Sequence, residues 1–579
     1  MRMNIGPRKT APAYVPFLAI GAVLACSALY RALIFTGFTN DHHMHLAWAQ
    51  QTLRGELPGR DFVEPGMPLT IALSAAAQHL MGRGILPEFV LCLVFIVAAA
   101  GLTYWLGTRL TGSPVLGLIA AALQLASLPR LYNYPKLFIP VVAVLLIWRY
   151  IEHPTVWRAA AMGAWAAVAF LFRHDYLVYL AVPALVALVC HLPRSGTQTT
   201  ARHVGAWAAA AIVPVLPYLV ALQFLGGIGP HFRDGLEFAR SEQYQWNMTL
   251  PRFAVAPPPA VPSRADLGPA GAARRIARAV VLDGVLFVGP VVNWENAGAA
   301  MFYGAFMLPA ALIVAIGIAA LRRHPHVLRP NEIQVLTLAV LSLILALAFV
   351  RHPFQARLPD VAGTMPLIAV ASAAAVRHRG TGLRVCGMAL VTVALVAVCV
   401  QGRVWNQLYG AGVFRAPGAF VSRIDTLPAK LRTWPWEALW SPGALPASVR
   451  YLHACTAPDD RVLVTWFAPE MFTFAERGFA AGHPFFTRTH FLSAHYQNAM
   501  LERLTHQRVP VALINLEQPW FTARYSALDG YLKEHYAVID TYNYNGAGIA
   551  IAVRKDLPPS GVFAPTGWPC FRQTSSPSR

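Results

Sequence analysis

The sequence predicts an α-helical polytopic membrane protein with a small α/β unit at its C-terminal end. Three observations predict this class. Of the 579 residues, 56% are hydrophobic and only 13% charged, with a mean hydropathy of +0.46, a composition foreign to soluble chains. Apolar runs able to cross a bilayer core of about 30 Å recur between residues 14 and 401. Beyond Val400 the pattern turns to short β-branched runs alternating with amphipathic stretches.

Eleven spans are expected, over residues 14–35, 86–108, 114–129, 135–151, 157–172, 174–191, 204–225, 300–321, 333–350, 361–376 and 384–401. Arg2, Arg8 and Lys9 precede an apolar run too long for a signal-peptide core, so the first span is read as retained. Pro214 and Pro217 interrupt the seventh span. An odd number of spans puts the two termini on opposite sides. With the N-terminus cytoplasmic, the cytoplasmic loops carry Arg109, Arg149, Arg158, Arg194, Arg202, Arg322, Arg323, Arg329, Arg377, Arg379 and Arg384, offset only by Glu152 and Glu332. That is the positive-inside pattern, and inversion would destroy it. The formal charge of +20 therefore reports topology. No basic stripe interleaved with aromatics exists, which argues against nucleic acid as a partner.

The first 401 residues form the expected membrane domain, with long outer loops at 36–85 and 226–299. In the first loop Leu46, Ala49 and Leu53, then Leu69, Leu73, Ala76 and Leu80, recur at helical spacing. Prolines crowd the second loop between Pro251 and Pro269 and rule out one regular element there. Residues 402–579 form the expected outer α/β domain. Its strands are read at Arg461–Phe467, Val509–Leu516, Ala537–Tyr542 and Gly548–Arg554, and its helices at Pro469–Arg477, Ala494–His506 and Ala523–Tyr536. It has no G-x-x-x-x-G-K phosphate loop, so ATP is not its obvious ligand. Cys26, Cys92, Cys190, Cys386 and Cys399 sit in or beside spans as small apolar fillers, whereas Cys455 and Cys570 fall outside, where a disulfide is permitted.

Charges near a bilayer are costly and usually functional. Here they gather on the outer side: Asp41 with Asp61 and Glu64, then Lys136, Arg173-His174-Asp175, Glu237 to Glu242, and Arg351 to Asp360. The first loop reads Thr39-Asn40-Asp41-His42-His43-Met44-His45, then Leu53-Arg54-Gly55-Glu56-Leu57-Pro58-Gly59-Arg60-Asp61-Phe62, then Glu64-Pro65-Gly66-Met67-Pro68. Over this stretch the chain resembles the GT-C superfamily of membrane glycosyltransferases, especially the bacterial branch of protein O-mannosyltransferases and lipid A aminoarabinose transferases. Those enzymes place an acidic residue after the first span and follow it with an arginine-aspartate turn and a proline-containing segment. This chain departs in having His42 after Asp41, and Glu64-Pro65-Gly66 where relatives often carry lysine beside proline.

The resemblance implies a GT-C-like fold over residues 14–400 in a bacterial inner membrane. It implies transfer of a sugar from a polyprenyl-phosphate donor to a lipid, glycan or protein acceptor at the outer face. Such a donor brings its own leaving group, so the enzyme must supply a base for the acceptor hydroxyl and cations for the departing phosphate. Asp41 is the candidate base, with helix capping as its competing role. Lys136 and Arg351 are candidate phosphate ligands, joined by Arg173 and Arg357. The bland readings are snorkelling for Lys136, an ion pair with Asp175 for Arg173, and interfacial anchoring for Arg351 and Arg357. Asp61, Glu64, Asp175 and Glu237 are assigned to acceptor or structural loops. His42 and His45, at i, i+3 spacing, are the candidate ligands if a divalent metal is used. Two other classes compete: an outer-face polysaccharide ligase or polymerase, and a lipid-linked-sugar transporter. Charges at span ends and the absence of a twofold sequence repeat weigh against transport.

Overall fold

A computed structural model of the chain describes residues 14–127, 130–244, 250–253, 294–323, 327–351, 354–377, 381–413, 416, 418–434, 436 and 446–572. Most of the proline-rich part of the second outer loop lies outside this set, as do the side chains of Arg351 and His352.

The membrane region is a helix bundle. Its elements are α1 (Tyr14–Ile34), α2 (Asn40–Leu53), α3 (Pro68–Met81), α4 (Ile85–Thr111), α5 (Pro114–Ala126), α6 (Tyr134–Glu152), α7 (Val156–Phe172), α8 (Tyr176–Ser195), α9 (Thr197–Ile212), α10 (Leu216–Leu225) and α11 (Ile228–Tyr244). There follow α12 (Trp294–Leu321), α13 (Pro330–Ala346), α14 (Ala348–Arg351), α15 (Phe354–Val361), α16 (Met365–Arg377) and α17 (Thr381–Gln401). Among the described residues, seven apolar segments are long enough to cross a membrane, and four shorter apolar helices complete a set of eleven in the expected order. The chain is therefore a multi-pass membrane protein.

Local chemistry sets several boundaries. The Ser113 and Thr155 hydroxyls accept from the Leu116 and Arg158 amides and start α5 and α7. Pro214 and Pro217 break the seventh span into α9, a 3-10 turn at Val213–Val215, and α10. Helices α7 and α9 touch at Gly163, where a Cβ would lie 2.0 Å from the Trp207 carbonyl oxygen. Only glycine permits that approach. Among the described residues, the loops bearing Arg109, Arg158 and Arg323 meet at one end of the bundle. There Arg109 pairs with Glu152, which also accepts from Gln334 at 2.9 Å, and Arg323 pairs with Glu332 at 2.7 Å.

At the other end, α2 and α3 turn the first loop into a helical pair, as its periodicity predicts. The C-terminal region carries a five-stranded mixed sheet of order β2-β1-β3-β5-β4. Its strands are β1 (Arg461–Val464), β2 (Gly478–Phe479), β3 (Val511–Asn515), β4 (Tyr536–Tyr544) and β5 (Ala547–Arg554). Strand β1 pairs in parallel with β2 and β3, and β5 lies antiparallel between β3 and β4. Two differences from the sequence reading have simple causes. The two-residue β2 is too short to leave a periodic signal, and the helix expected over Ala523–Tyr536 divides at Tyr525 into Pro519–Arg524 and Ser526–His535. Cys455 and Cys570 are disulfide-bonded.

This C-terminal unit sits on the first loop. Arg461 binds Glu56 at 2.9 and 2.5 Å, Arg54 donates to the Glu476 carbonyl at 3.0 Å, and the Val63 amide donates to the Gly482 carbonyl at 3.2 Å. A continuous apolar core runs from Leu46 and Trp48 of α2 to Phe472 and Phe479. The end of the bundle bearing α2 is thus roofed by folded protein.

Candidate active site

The apolar face of α2 buries His42, His43, His45 and Trp48, which leaves Asp41 at the rim. The helix starts at Asn40, two residues before the His42 start that a capping Asp41 requires, so Thr39 takes the N-cap position and Asp41 falls inside the first turn. Its Oδ2 instead accepts from the Tyr132 hydroxyl at 2.7 Å and the Arg130 guanidinium at 2.9 Å, with about a third of the side chain exposed. The capping role is therefore corrected: the geometry turns Asp41 outward to side-chain donors across 89 and 91 residues of sequence. Both donors come from the turn leading into α6. Beside them a cavity of about 510 Å³ is lined by Arg31, Thr39, His42, Arg130, Asn406 and Gln407.

One turn beyond Tyr132, Lys136 points at a second carboxylate. Its Nζ lies 3.1 Å from Asp360 Oδ1, Arg173 approaches the same oxygen at 3.5 Å, and Arg357 approaches Oδ2 at 3.8 Å. Three cations from three separate elements thus converge on a carboxylate only 3% exposed. Burial opposes charge on Asp360, but Lys136, Arg173 and Arg357 outweigh it and hold its carboxyl below the ordinary range. Arg173 also clasps Asp175 through both of its carboxylate oxygens, so the turn-fixing pair and the cluster coexist. Arg357 reaches Glu242 of α11 at 3.8 Å, and His490 of the C-terminal unit stands 3.5 Å from that carboxylate. Snorkelling does not describe Lys136, whose side chain is 12% exposed and ion-paired.

The remaining expected residues fall elsewhere. Asp61 closes its own turn, accepting from the Leu57 amide at 2.8 Å and from Arg60 at 2.9 Å. Glu64 is buried, and burial pushes its carboxyl up to about 7 despite bonds from the Met67 and Gly66 amides. Its Oε2 lies 3.9 Å from His231. The Tyr218 hydroxyl bridges His231 at 3.0 Å and His174 at 3.2 Å. Burial, then the neighbouring His231, holds His174 down to about 4. Gly66 makes this packing possible: its φ is +97°, and a Cβ would stand 2.7 Å from His174 Nδ1. Glu237, assigned from sequence to the second outer loop, lies half-buried on the helix α11, which docks through Asp234, an acceptor from Tyr496 at 2.8 Å. His42 and His45 both face the Tyr132 ring, but they do not converge on a common carboxylate or thiol. His42 bonds Glu88 at 3.0 Å, whereas His45 packs against the rings of Trp48 and Tyr132.

Sequence reasoning missed Arg130, Tyr132 and Asp360 as partners. Tyr132 and Asp360 stood beside residues already singled out, but their pairing crosses elements and leaves no trace in spacing.

No family model matches the chain, and no curated protein matches it. Among solved structures, the chain is similar to ArnT from Cupriavidus metallidurans in its crystal structure bound to undecaprenyl phosphate. Identity is 14%, the match covers 94% of this chain and 99% of that one, and the TM-score is 0.43.

Proposed function

We propose that the protein is a membrane glycosyltransferase that moves a sugar from a polyprenyl-phosphate donor to an acceptor hydroxyl at the outer face of a bacterial inner membrane. The observation that carries this reading is the placement of two chemically distinct centres on either side of the 131–136 turn. One is a partly exposed carboxylate, the other a buried set of three cations.

Asp41 takes the acceptor proton as the acceptor oxygen attacks the anomeric carbon. The bond from that carbon to the phosphate oxygen breaks, and the leaving phosphate gains charge. Lys136, Arg173 and Arg357 supply the compensating field, stronger in a roofed site than in water. Asp360 gathers the three cations before the donor arrives and so pre-organises them. Arg351, at the end of α14 just before the helix of Arg357, is assigned to the same donor phosphate. Asp61 and Asp175 shape the loops, as Glu64 does.

The arginine-rich loops support a cytoplasmic N-terminus and a C-terminal domain, residues 402–579, on the extracytoplasmic side of the membrane. The test is incubation of purified protein with a polyprenyl-phosphate sugar and a panel of acceptors. Release of free polyprenyl phosphate that depends on Asp41 is expected. Translocation of intact donor without cleavage would replace this reading with transport.

A further inference from the structure

Behind Asp41, the head of α2 meets α3 and α4 in a wholly buried polar cluster that the transfer chemistry leaves unused. His42 Nε2 lies 3.0 Å from Glu88 Oε1, and Cys92 Sγ lies 3.8 Å from His42 Nε2 and 3.7 Å from Glu88 Oε1. All three residues are at most 2% exposed. Among the described residues, no other group of three ligating side chains comes together this closely. We infer that His42, Glu88 and Cys92 form a binding site for one divalent transition-metal ion of borderline softness, such as zinc, which pins the first turn of α2 to α4.

The distances carry the argument. A tetrahedral zinc with ordinary bond lengths places neighbouring nitrogen, oxygen and sulfur ligands roughly 3.3–3.6 Å apart. The observed edges of 3.0, 3.7 and 3.8 Å need shifts of only a few tenths of an ångström. Glu88 and Cys92 stand one turn apart on α4 and share a face by helical geometry. Ser74 of α3 donates to the other Glu88 oxygen, Oε2, at 2.5 Å. That bond orients the carboxylate and leaves Oε1 to the ion, as outer partners of metal ligands commonly do.

Charge also balances. Binding releases the Cys92 thiol proton, and His42 binds through Nε2 with its proton on Nδ1. A dication with one thiolate and one carboxylate is then neutral, which a site at the margin of the hydrocarbon tolerates. Water takes the fourth position. His42 also lines the 510 Å³ cavity, which provides the route of entry.

The ion acts on Asp41 only through position, because it holds the adjacent residue of the same turn. The test uses full-length protein in detergent, stripped with chelator and reloaded with Co²⁺ or Zn²⁺. Expected are a near-ultraviolet thiolate-to-cobalt absorption band, one ion bound per chain, and a rise in melting temperature on adding zinc. Cys92→Ser should lose the band, and Glu88→Gln should weaken zinc binding about tenfold or more. The wild-type melting shift needs no variant, so a poorly folding substitution does not blunt the test. Wild-type protein with neither band nor stoichiometric zinc overturns the site. A band that survives in Cys92→Ser places the metal elsewhere and overturns it equally.

Discussion

At the residue scale, Asp41 and Lys136 separate the two halves of the proposed chemistry. Asp41→Asn keeps an oxygen that can accept from Tyr132 and Arg130, so the fold should persist. Loss of the base should lower turnover by about 10²–10⁴-fold with a melting temperature close to that of the wild type. Near-normal turnover in purified protein would remove Asp41 from the reaction. Lys136→Ala leaves Asp360 to Arg173 and Arg357 and takes one cation from the donor site. Donor affinity should fall at least about tenfold, a loss of about 1.4 kcal/mol, read as a smaller donor-induced rise in melting temperature. Unchanged affinity would make the cluster a structural ion network. Arg173→Lys should not rescue fully, because the paired grip on Asp175 needs a guanidinium.

At the scale of elements, the loop before α3 and the short helix Glu470–Ala475 each hold a measurable strain or titration. Gly66→Ala forces a side chain into the left-handed region and against His174 Nδ1. A loss of about 1–3 kcal/mol is expected, seen as a lower melting temperature. Adding His174→Ala should restore only the part due to the clash. A Gly66→Ala protein as stable as wild type would show that the loop relaxes freely. Glu470 accepts from the Tyr544 hydroxyl at 2.9 Å, yet burial pushes its carboxyl up to about 7. Below the unfolded value both states hold the proton. Between the two values the folded state keeps a proton that the unfolded chain has released, so stability falls as pH rises toward 7 and then levels off. The slope reaches at most about 1.4 kcal/mol per pH unit. Glu470→Gln should flatten this part of the stability profile measured by tryptophan fluorescence. An unchanged profile would assign the slope to other groups.

At the scale of the whole molecule, the bundle is electrostatically two-ended. Arg109, Arg149, Arg158 and Arg323 sit at one end, and the Asp360 cluster with the C-terminal unit sits at the other. Reporter fusions at Thr197 and Gln401 should therefore report opposite sides of the membrane, with Gln401 outside. If both report the cytoplasm, the proposed outer-face site fails. The contacts of Arg461 with Glu56 and of Tyr496 with Asp234 tie the roof to the first loop and to α11.

The sequence by itself determined the class of the molecule, the order of its spans, the break at Pro214, and the helical character of the first loop. Those properties follow from hydropathy and periodicity, which are local and additive along the chain. It also singled out Asp41, Lys136, Arg173 and Arg357, because charges beside apolar runs stand out in any reading. Tertiary structure alone decided what those charges face. Asp360 gathers cations from 224, 187 and 3 residues away in sequence, and Asp41 turns to Arg130 and Tyr132 instead of capping its helix. Likewise Cys92 reads as an apolar filler until the fold sets it beside His42 and Glu88. Pairing energies fall off over a few ångströms of space, and separation along a chain does not encode that distance.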